Sequence, residues 1–290
     1  MDYRVEIGVI GGSGLYAFSS AKVIDEIDIE TPFGKPSDKI TIVDVEGRKV
    51  AFLPRHGRGH IYPPTKIPMK ANIWALKYLG VRKLIAISAV GSLREELKPM
   101  DFVIPSQLID FTRWRELTFF STGLVGHVSM ADPFCNELSN QIKEIAKKHL
   151  PDITIHTDKT YITIEGPQFS SRAESHLFRQ WGADIIGMTA SGEAKLSREA
   201  EICYSLISMV TDYDCWYEGH EDVNAEMVME YMRKNTDNIL KLLPVIIQNI
   251  DVAMKCQCEE AAKFAIVTSK DKIPQEIKKS LAIFYEKYWS

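Results

Sequence analysis

The run Cys203-Tyr204-Ser205-Leu206-Ile207-Ser208-Met209-Val210, followed by Thr211-Asp212-Tyr213-Asp214, constrains this chain more than any other segment. It reads as an apolar strand that ends in two carboxylates one residue apart. Strand side chains alternate, so residues 212 and 214 are expected on the same side. In open α/β sheets, ligands gather at the carboxyl ends of strands. Two acids aimed together there can accept hydrogen bonds from an amino group, or hold and release a proton. The competing reading is an exposed turn, because Asp is common after strands.

The rest of the chain supplies a setting for such a strand. Residues 4–10 read as a first strand, and Gly11-Gly12-Ser13-Gly14 as a tight loop. Residues 22–30 and 39–53 alternate apolar and polar, as antiparallel strands do. Strands are also expected at 83–89, 101–104, 160–165 and 184–188. Helices are expected at about 69–79, 134–149, 171–181 and 192–200, with a long loop over 111–130. A helical stretch over 222–254 should be interrupted at Pro244, and a lysine-rich tail has helical pattern at 274–288. This alternation predicts one α/β domain with a central mixed sheet flanked by helices. We place that domain at residues 1–258 and read 259–290 as a C-terminal helical extension of unknown role.

Composition excludes several classes. The 290 residues are 45% hydrophobic and 26% charged, enough for one well-buried core. A net charge of −4 gives no clustered basic excess for nucleic acid. No apolar run reaches a membrane span, and the N-terminus lacks a signal-peptide core, so a cytosolic location is the expectation. The five cysteines, at 135, 203, 215, 256 and 258, are odd in number and their spacings match no four-ligand zinc pattern. Free thiols are expected, with a Cys135–Cys203 bridge or a Cys256–Cys258 bridge as the alternatives.

Five loops carry ligand-type groups. The glycines at 11, 12 and 14 let a backbone approach closely and expose N–H groups to a phosphate, to which Ser13 adds a hydroxyl. They do not match G-x-G-x-x-G, which counts against a dinucleotide oxidoreductase. Arg55-His56-Gly57-Arg58-Gly59-His60 gathers four basic or titratable side chains in six residues, an anion site rather than a solvated loop. Ser88-Ala89-Val90-Gly91-Ser92 is a small-residue turn at a strand end. In the segment 164–174, Ser171 and Glu174 form a capping box, while Phe169 stands where a flat ligand can stack. Met188-Thr189 ends another strand, although Met188 also suits a plain core position. Together these suit a nucleoside plus phosphate.

These blocks, with Gly91-Ser92-Leu93-Arg94-Glu95-Glu96 and Ala131-Asp132-Pro133-Phe134-Cys135, resemble the trimer-type purine nucleoside phosphorylases, and among them the 5′-methylthioadenosine phosphorylases. The resemblance covers about residues 4–250. It implies a partly barrel-like purine nucleoside phosphorylase fold and phosphorolysis of 5′-methylthioadenosine to adenine and 5-methylthioribose 1-phosphate. It implies phosphate ligands at Ser13, Arg55, His56, Ser88, Ala89 and Thr189. Met188 would lie against the ribose and Phe169 near the base, with Ser170, Asp212 and Asp214 reading the purine edge. Asp212 would share a proton with N7 of the departing base, supported by Asp214. His60, and His127 from a neighbouring subunit, would shape the sugar and 5′ region. Ala225 and Val228 complete the nucleoside set; Ala225 is smaller than the residue expected near the 5′ pocket. Ser13 and Ser88 stand where related enzymes often carry Thr.

The resemblance further implies inorganic phosphate as co-substrate, no metal or organic cofactor, and a homotrimer or a dimer of trimers. Two alternatives stand beside it. One is a broader purine nucleoside phosphorylase acting on adenosine, inosine or guanosine; the other is a non-catalytic nucleoside-binding module.

Overall fold

The computed structural model describes residues 4–12, 22–218 and 225–289. Its strands are β1 (Ile7–Gly11), β2 (Lys22–Ile27), β3 (Ile40–Val45), β4 (Arg48–Pro54), β5 (Lys83–Ser92), β6 (Phe102–Ile104), β7 (Gln107–Phe111), β8 (Ile155–Thr157), β9 (Thr160–Ile164), β10 (Ile185–Gly187) and β11 (Cys203–Asp212). Its helices are α1 (Met69–Tyr78), α2 (Asn136–His149), α3 (Arg172–Gln180), α4 (Ala190–Glu199), α5 (Ala225–Asn249), α6 (Gln275–Ser280) and α7 (Ala282–Trp289). The sheet is mixed and flanked by helices. Its main path runs β2-β3-β4-β1-β5-β10-β9-β7, and it forks at β5, where β11 also pairs and leads on to β6 and β8.

The fork explains why β5 and β11 are almost continuously apolar. Leu84, Ala86, Leu206 and Val210 pack into one apolar layer, with α1, α4 and α7. Ile85, Ile87, Ile207 and Met209 pack into a second, with α2 and α5. A strand covered on both faces needs apolar residues at every position, not every second one. Each such fully buried aliphatic side chain contributes roughly 1.5–3 kcal/mol.

Several sequence expectations need correction. Pro244 does not interrupt the long helix: α5 runs from Ala225 to Asn249 with the proline inside it. Leu242, Leu243, Ile246 and Ile247 are buried around it, and their packing outweighs the missing N–H bond, a cost of about 3 kcal/mol. The tail forms two short helices rather than one. Strands β7 and β8 were not legible, being short and half-buried. The tail joins the larger apolar layer through Ala262, Ile273, Leu281, Phe284 and Tyr285. The indole N–H of Trp74 donates to the Ser280 carbonyl at 2.9 Å, and the Tyr285 hydroxyl to the Glu199 carbonyl at 3.0 Å. The capping box at α3 forms as expected, with the Ser171 side chain and Glu174 each accepting from the other's backbone N–H. Among the described residues no helix is long and apolar enough to cross a membrane.

Candidate active site

The register of β5 opens a site. On one edge β1 pairs with residues 83–86 of β5, and β10 with residues 91–92. Between them that edge carries no paired strand, and Ile87, Ser88, Ala89 and Val90 line a cavity of about 500 Å³. The ends of β1, β4, β9, β10 and β11 close around it. This is a strand-order switch of the kind that holds ligands in α/β sheets.

At the Ile87 end, Arg55 is buried just after β4, its backbone N–H bonded to the Gly11 carbonyl at 2.8 Å. Its guanidinium grips both oxygens of Glu193, one through Nε and one through Nη2 at 3.0 Å, and Nη1 donates to the Ile87 carbonyl at 2.9 Å. Burial alone would lower the Arg55 pKa; the Glu193 carboxylate overrides that and holds it raised. The Tyr204 hydroxyl donates to Glu193 at 2.9 Å. Glu193 is therefore the residue that fixes Arg55, and sequence reasoning did not assign it that role. Thr189, the N-cap of α4, lines the cavity and makes no side-chain capping bond to the helix, so the start of α4 lies at the cavity wall. Such an end favours an anion. The Ser88 hydroxyl is buried with no hydrogen-bond partner among the described residues.

His56, expected from the sequence as an anion ligand and hence as a hydrogen-bond donor, has its donor already engaged. Its Nδ1 lies 2.8 Å from the Tyr62 carbonyl. A carbonyl only accepts, so Nδ1 carries the proton. Burial lowers the His56 pKa to about 4, with the neighbouring Arg55 and His60 adding to the effect, so the ring is neutral at pH 7. Its Nε2 then offers a lone pair, which suits the P–OH of monohydrogen phosphate. His60 stacks on His56 with ring centroids 4.1 Å apart.

At the Gly91 end sit the two acids. β11 ends at Asp212 with a register shift after Val210, and Asp214 opens a short turn with φ of +49°. The pair shares the cavity because of that bulge and turn, not through simple strand alternation. The Asp214 N–H donates to Asp212 Oδ1 at 2.8 Å, and the Thr211 hydroxyl reaches Oδ2 at 2.7 Å. The Ser170 hydroxyl meets Asp214 Oδ2 at 2.8 Å. Burial pushes Asp212 up to about 6, despite the hydrogen bonds from Thr211 and Asp214. Burial also raises Asp214. Gly91 is needed beneath them, since a Cβ there would stand 2.8 Å from Asp212 Oδ1.

The remaining wall is assembled from distant segments. Phe169, Met188, Val228, Met229 and Met232 line the cavity. Arg115, from the long loop, donates to Glu165 at 2.9 Å and also to the Met188 carbonyl, which ties the Phe169 loop to the end of β10. No sequence signal marked Arg115. Gly166, with φ of +63°, is required where Met188 crosses it, because a Cβ would meet Sδ at 2.5 Å. His127 does not line the cavity; its N–H bonds to the Ala265 carbonyl. Ser13 and the Ala225 side chain lie outside the described residues.

The two ends are four residues apart along β5, or about 13 Å at strand rise. One end offers a paired arginine, a helix N-terminus and an unpartnered hydroxyl. The other offers two buried carboxylates, one with a raised proton affinity near neutrality.

Comparison with known proteins gives the family. The profile described as "Phosphorylase superfamily" matches residues 6–248. The S-methyl-5′-thioadenosine phosphorylase of Prochlorococcus marinus is 48% identical, over 99% of this chain and 92% of that protein. A methylthioadenosine phosphorylase sourced from an antarctic soil metagenomic library superposes with a TM-score of 0.92 at 45% identity, covering 97% of this chain and 99% of that one. A mutant adenosine/methylthioadenosine phosphorylase from Schistosoma mansoni, solved with methylthioadenosine, gives 0.81 at 35% identity, covering 89% and 96%.

Proposed function

The chain belongs to the phosphorylase superfamily, and from that premise we propose that it is a pentosyltransferase cleaving S-methyl-5′-thioadenosine with phosphate. The products are adenine and 5-methylthio-α-D-ribose 1-phosphate. The observation that carries this reading is the two-ended cavity, with an anion-binding end and an acid end a nucleoside length apart.

Phosphate is placed at Arg55, Ser88, Ala89 and Thr189, with His56 accepting its hydroxyl proton and Ser13 completing the set. Monohydrogen phosphate then faces the sugar carbon whose bond to the base is breaking. Cleavage moves negative charge onto the purine and positive charge onto the sugar. Asp212, whose pKa burial raises to about 6, holds a proton at and below that pH and gives it to N7 of the leaving base, and Asp214 holds the 6-amino edge. Positioning and electrostatics supply most of the acceleration. Phosphate is a co-substrate, and no step of this scheme draws on a metal or an organic cofactor.

The 5′ end follows from the α5 wall. Val228, Met229 and Met232 are apolar, and the Thr236 hydroxyl is already bonded to the Met232 carbonyl at 2.7 Å. A methylthio group fits such a wall. A buried 5′-hydroxyl left unpaired there costs about 1–3 kcal/mol. His127 of a neighbouring subunit would complete this region in a trimer, and full activity in a monomer would remove that element. The cytoplasm is the compartment proposed for the reaction.

The test is phosphate-dependent adenine release, compared across methylthioadenosine, adenosine and inosine. We expect the highest kcat/KM for methylthioadenosine and the lowest for inosine, whose 6-oxo group faces acceptors. Equal rates for inosine would sink the assignment of Asp212 and Asp214. Binding of methylthioadenosine without base release would leave only a nucleoside-binding module.

A further inference from the structure

The spacing of the cysteines gave no sign of a metal site, yet four of the five meet. The sulfurs of Cys135, Cys203, Cys256 and Cys258 all lie within 4.8 Å of one another, and all five cysteines are free thiols. Cys135 caps the start of α2, Cys203 begins β11, and Cys256 and Cys258 come from the segment after α5. Cys135, Cys203 and Cys258 are buried. From this convergence we infer a structural metal site that holds a thiophilic divalent cation, zinc first, in a four-thiolate shell.

Geometry supports the inference. Zinc–thiolate bonds of about 2.3 Å set tetrahedral sulfur–sulfur edges near 3.8 Å. The Cys135–Cys256 separation is 3.7 Å. Cys203 and Cys256 stand 2.6 Å apart, shorter than such an edge, so this pair has to open to share one ion. A small tightening or opening of these four side chains brings every sulfur to one central ion. The four come from three separate parts of the chain, so the ion would fasten the C-terminal segment to the base of β11 and to the start of α2.

Charge supports it as well. A divalent ion with four thiolates carries a net charge of about −2. Lys83 Nζ lies 3.3 Å from Cys203 Sγ, and Arg198 Nη1 lies 3.3 Å from Cys258 Sγ. These two cations balance the cluster. The Leu138 N–H also donates to Cys135 Sγ at 3.4 Å. Such N–H donors around ligating sulfurs orient them and stabilise the thiolate form. Lys83 also donates to the Met254 carbonyl at 2.7 Å and meets Glu259 Oε1 at 3.5 Å, an oxygen that Arg82 binds more closely at 2.7 Å. Glu137 approaches Cys135 at 3.6 Å and is an adverse charge. Cys215, which touches Ser170 beside the acids, stands outside the cluster and serves as an internal control.

The experiment measures metal per chain in the full-length protein, produced with zinc in the medium and purified without chelator or a histidine tag. About one equivalent of zinc is expected, released as four thiols are titrated by an organomercurial. Cobalt exchanged into the site should show sulfur-to-metal charge-transfer absorption typical of thiolate coordination. Cys256→Ser with Cys258→Ser should reduce the metal content to less than about a tenth of wild type, whereas Cys215→Ser should leave it unchanged. Iron in the same stoichiometry, lost in the same double variant, also supports the site and changes only the ion. The inference is overturned if wild-type protein binds no metal even after refolding with zinc. Metal retained in the double variant overturns it too, as does a wild-type mass that corresponds to two disulfides. Because the wild-type measurements need no variant, poor folding of the double variant does not blunt the test.

Discussion

Strand β11 carries different chemistry at its two ends. Asp212 at one end and Cys203 at the other are nine residues apart, about 30 Å along an extended strand. At the Asp212 end, two carboxylates face an open cavity and burial keeps one of them ready to hold a proton. At the Cys203 end, four thiols close on one another. The difference teaches where a fold puts tension to use. Desolvated acids beside an open pocket act on a ligand that comes and goes. Desolvated thiols gathered with two cations hold separate segments of the chain together. One end should govern turnover and the other stability.

The largest expected effect falls on the acid end. Asp212→Asn should lower kcat for methylthioadenosine by roughly 100- to 10,000-fold, the range for loss of a general acid. It should also narrow the preference over inosine, as steady-state kinetics with both nucleosides will show. A near-wild-type rate would break the comparison at once.

Next is Glu193→Ala, which strips Arg55 of its buried partner. Leaving that guanidinium unpaired should cost about 3–5 kcal/mol of stability. Denaturant unfolding reads this, and a raised KM for phosphate should accompany it.

The pH dependence is somewhat smaller. The Asp212 pKa is raised to about 6 in the folded chain, so its stabilising effect is full below its unfolded value and is lost as pH rises through 6. About two pKa units correspond to roughly 3 kcal/mol. Wild type should therefore lose about that much stability relative to Asp212→Asn between pH 3 and pH 7, measured by unfolding at both. The same titration should make kcat/KM, which reports the free enzyme's groups, fall as pH rises above about 6.

Gly91→Ala should cost about 1–3 kcal/mol, because the new methyl crowds Asp212 and Ile186. Its signature should be a raised nucleoside KM with phosphate KM little changed. The smallest effect on turnover belongs to the thiol end. Cys256→Ser should leave kcat within about twofold while lowering the thermal midpoint, since it acts through stability alone. A large loss of kcat in well-folded Cys256→Ser protein would erase the distinction between the two ends.

The acid pair was legible because its chemistry is local. Asp212 and Asp214 are two residues apart, and an apolar strand before them places them at a sheet end. The bulge after Val210 was not legible, because it depends on pairing with β5. Arg55 stood out in a basic cluster, but Glu193 did not, since its partner lies 138 residues away. Arg115 was hidden in a loop without periodicity, and its role comes from reaching the Met188 carbonyl. The helix was expected to stop at Pro244 because local backbone preference says so, while burial of the flanking aliphatics decided otherwise.

The sequence by itself determined the α/β class, most strand and helix positions, the family, and the chemical character of each loop. Those depend on residue type and short-range spacing, which the chain carries explicitly. Tertiary structure alone decided that Glu193 pairs with Arg55, that His56 donates from Nδ1 to the Tyr62 carbonyl, and that four cysteines spread over 124 positions converge. Those depend on sheet register and on which face each helix covers, and spacing along the chain does not encode them.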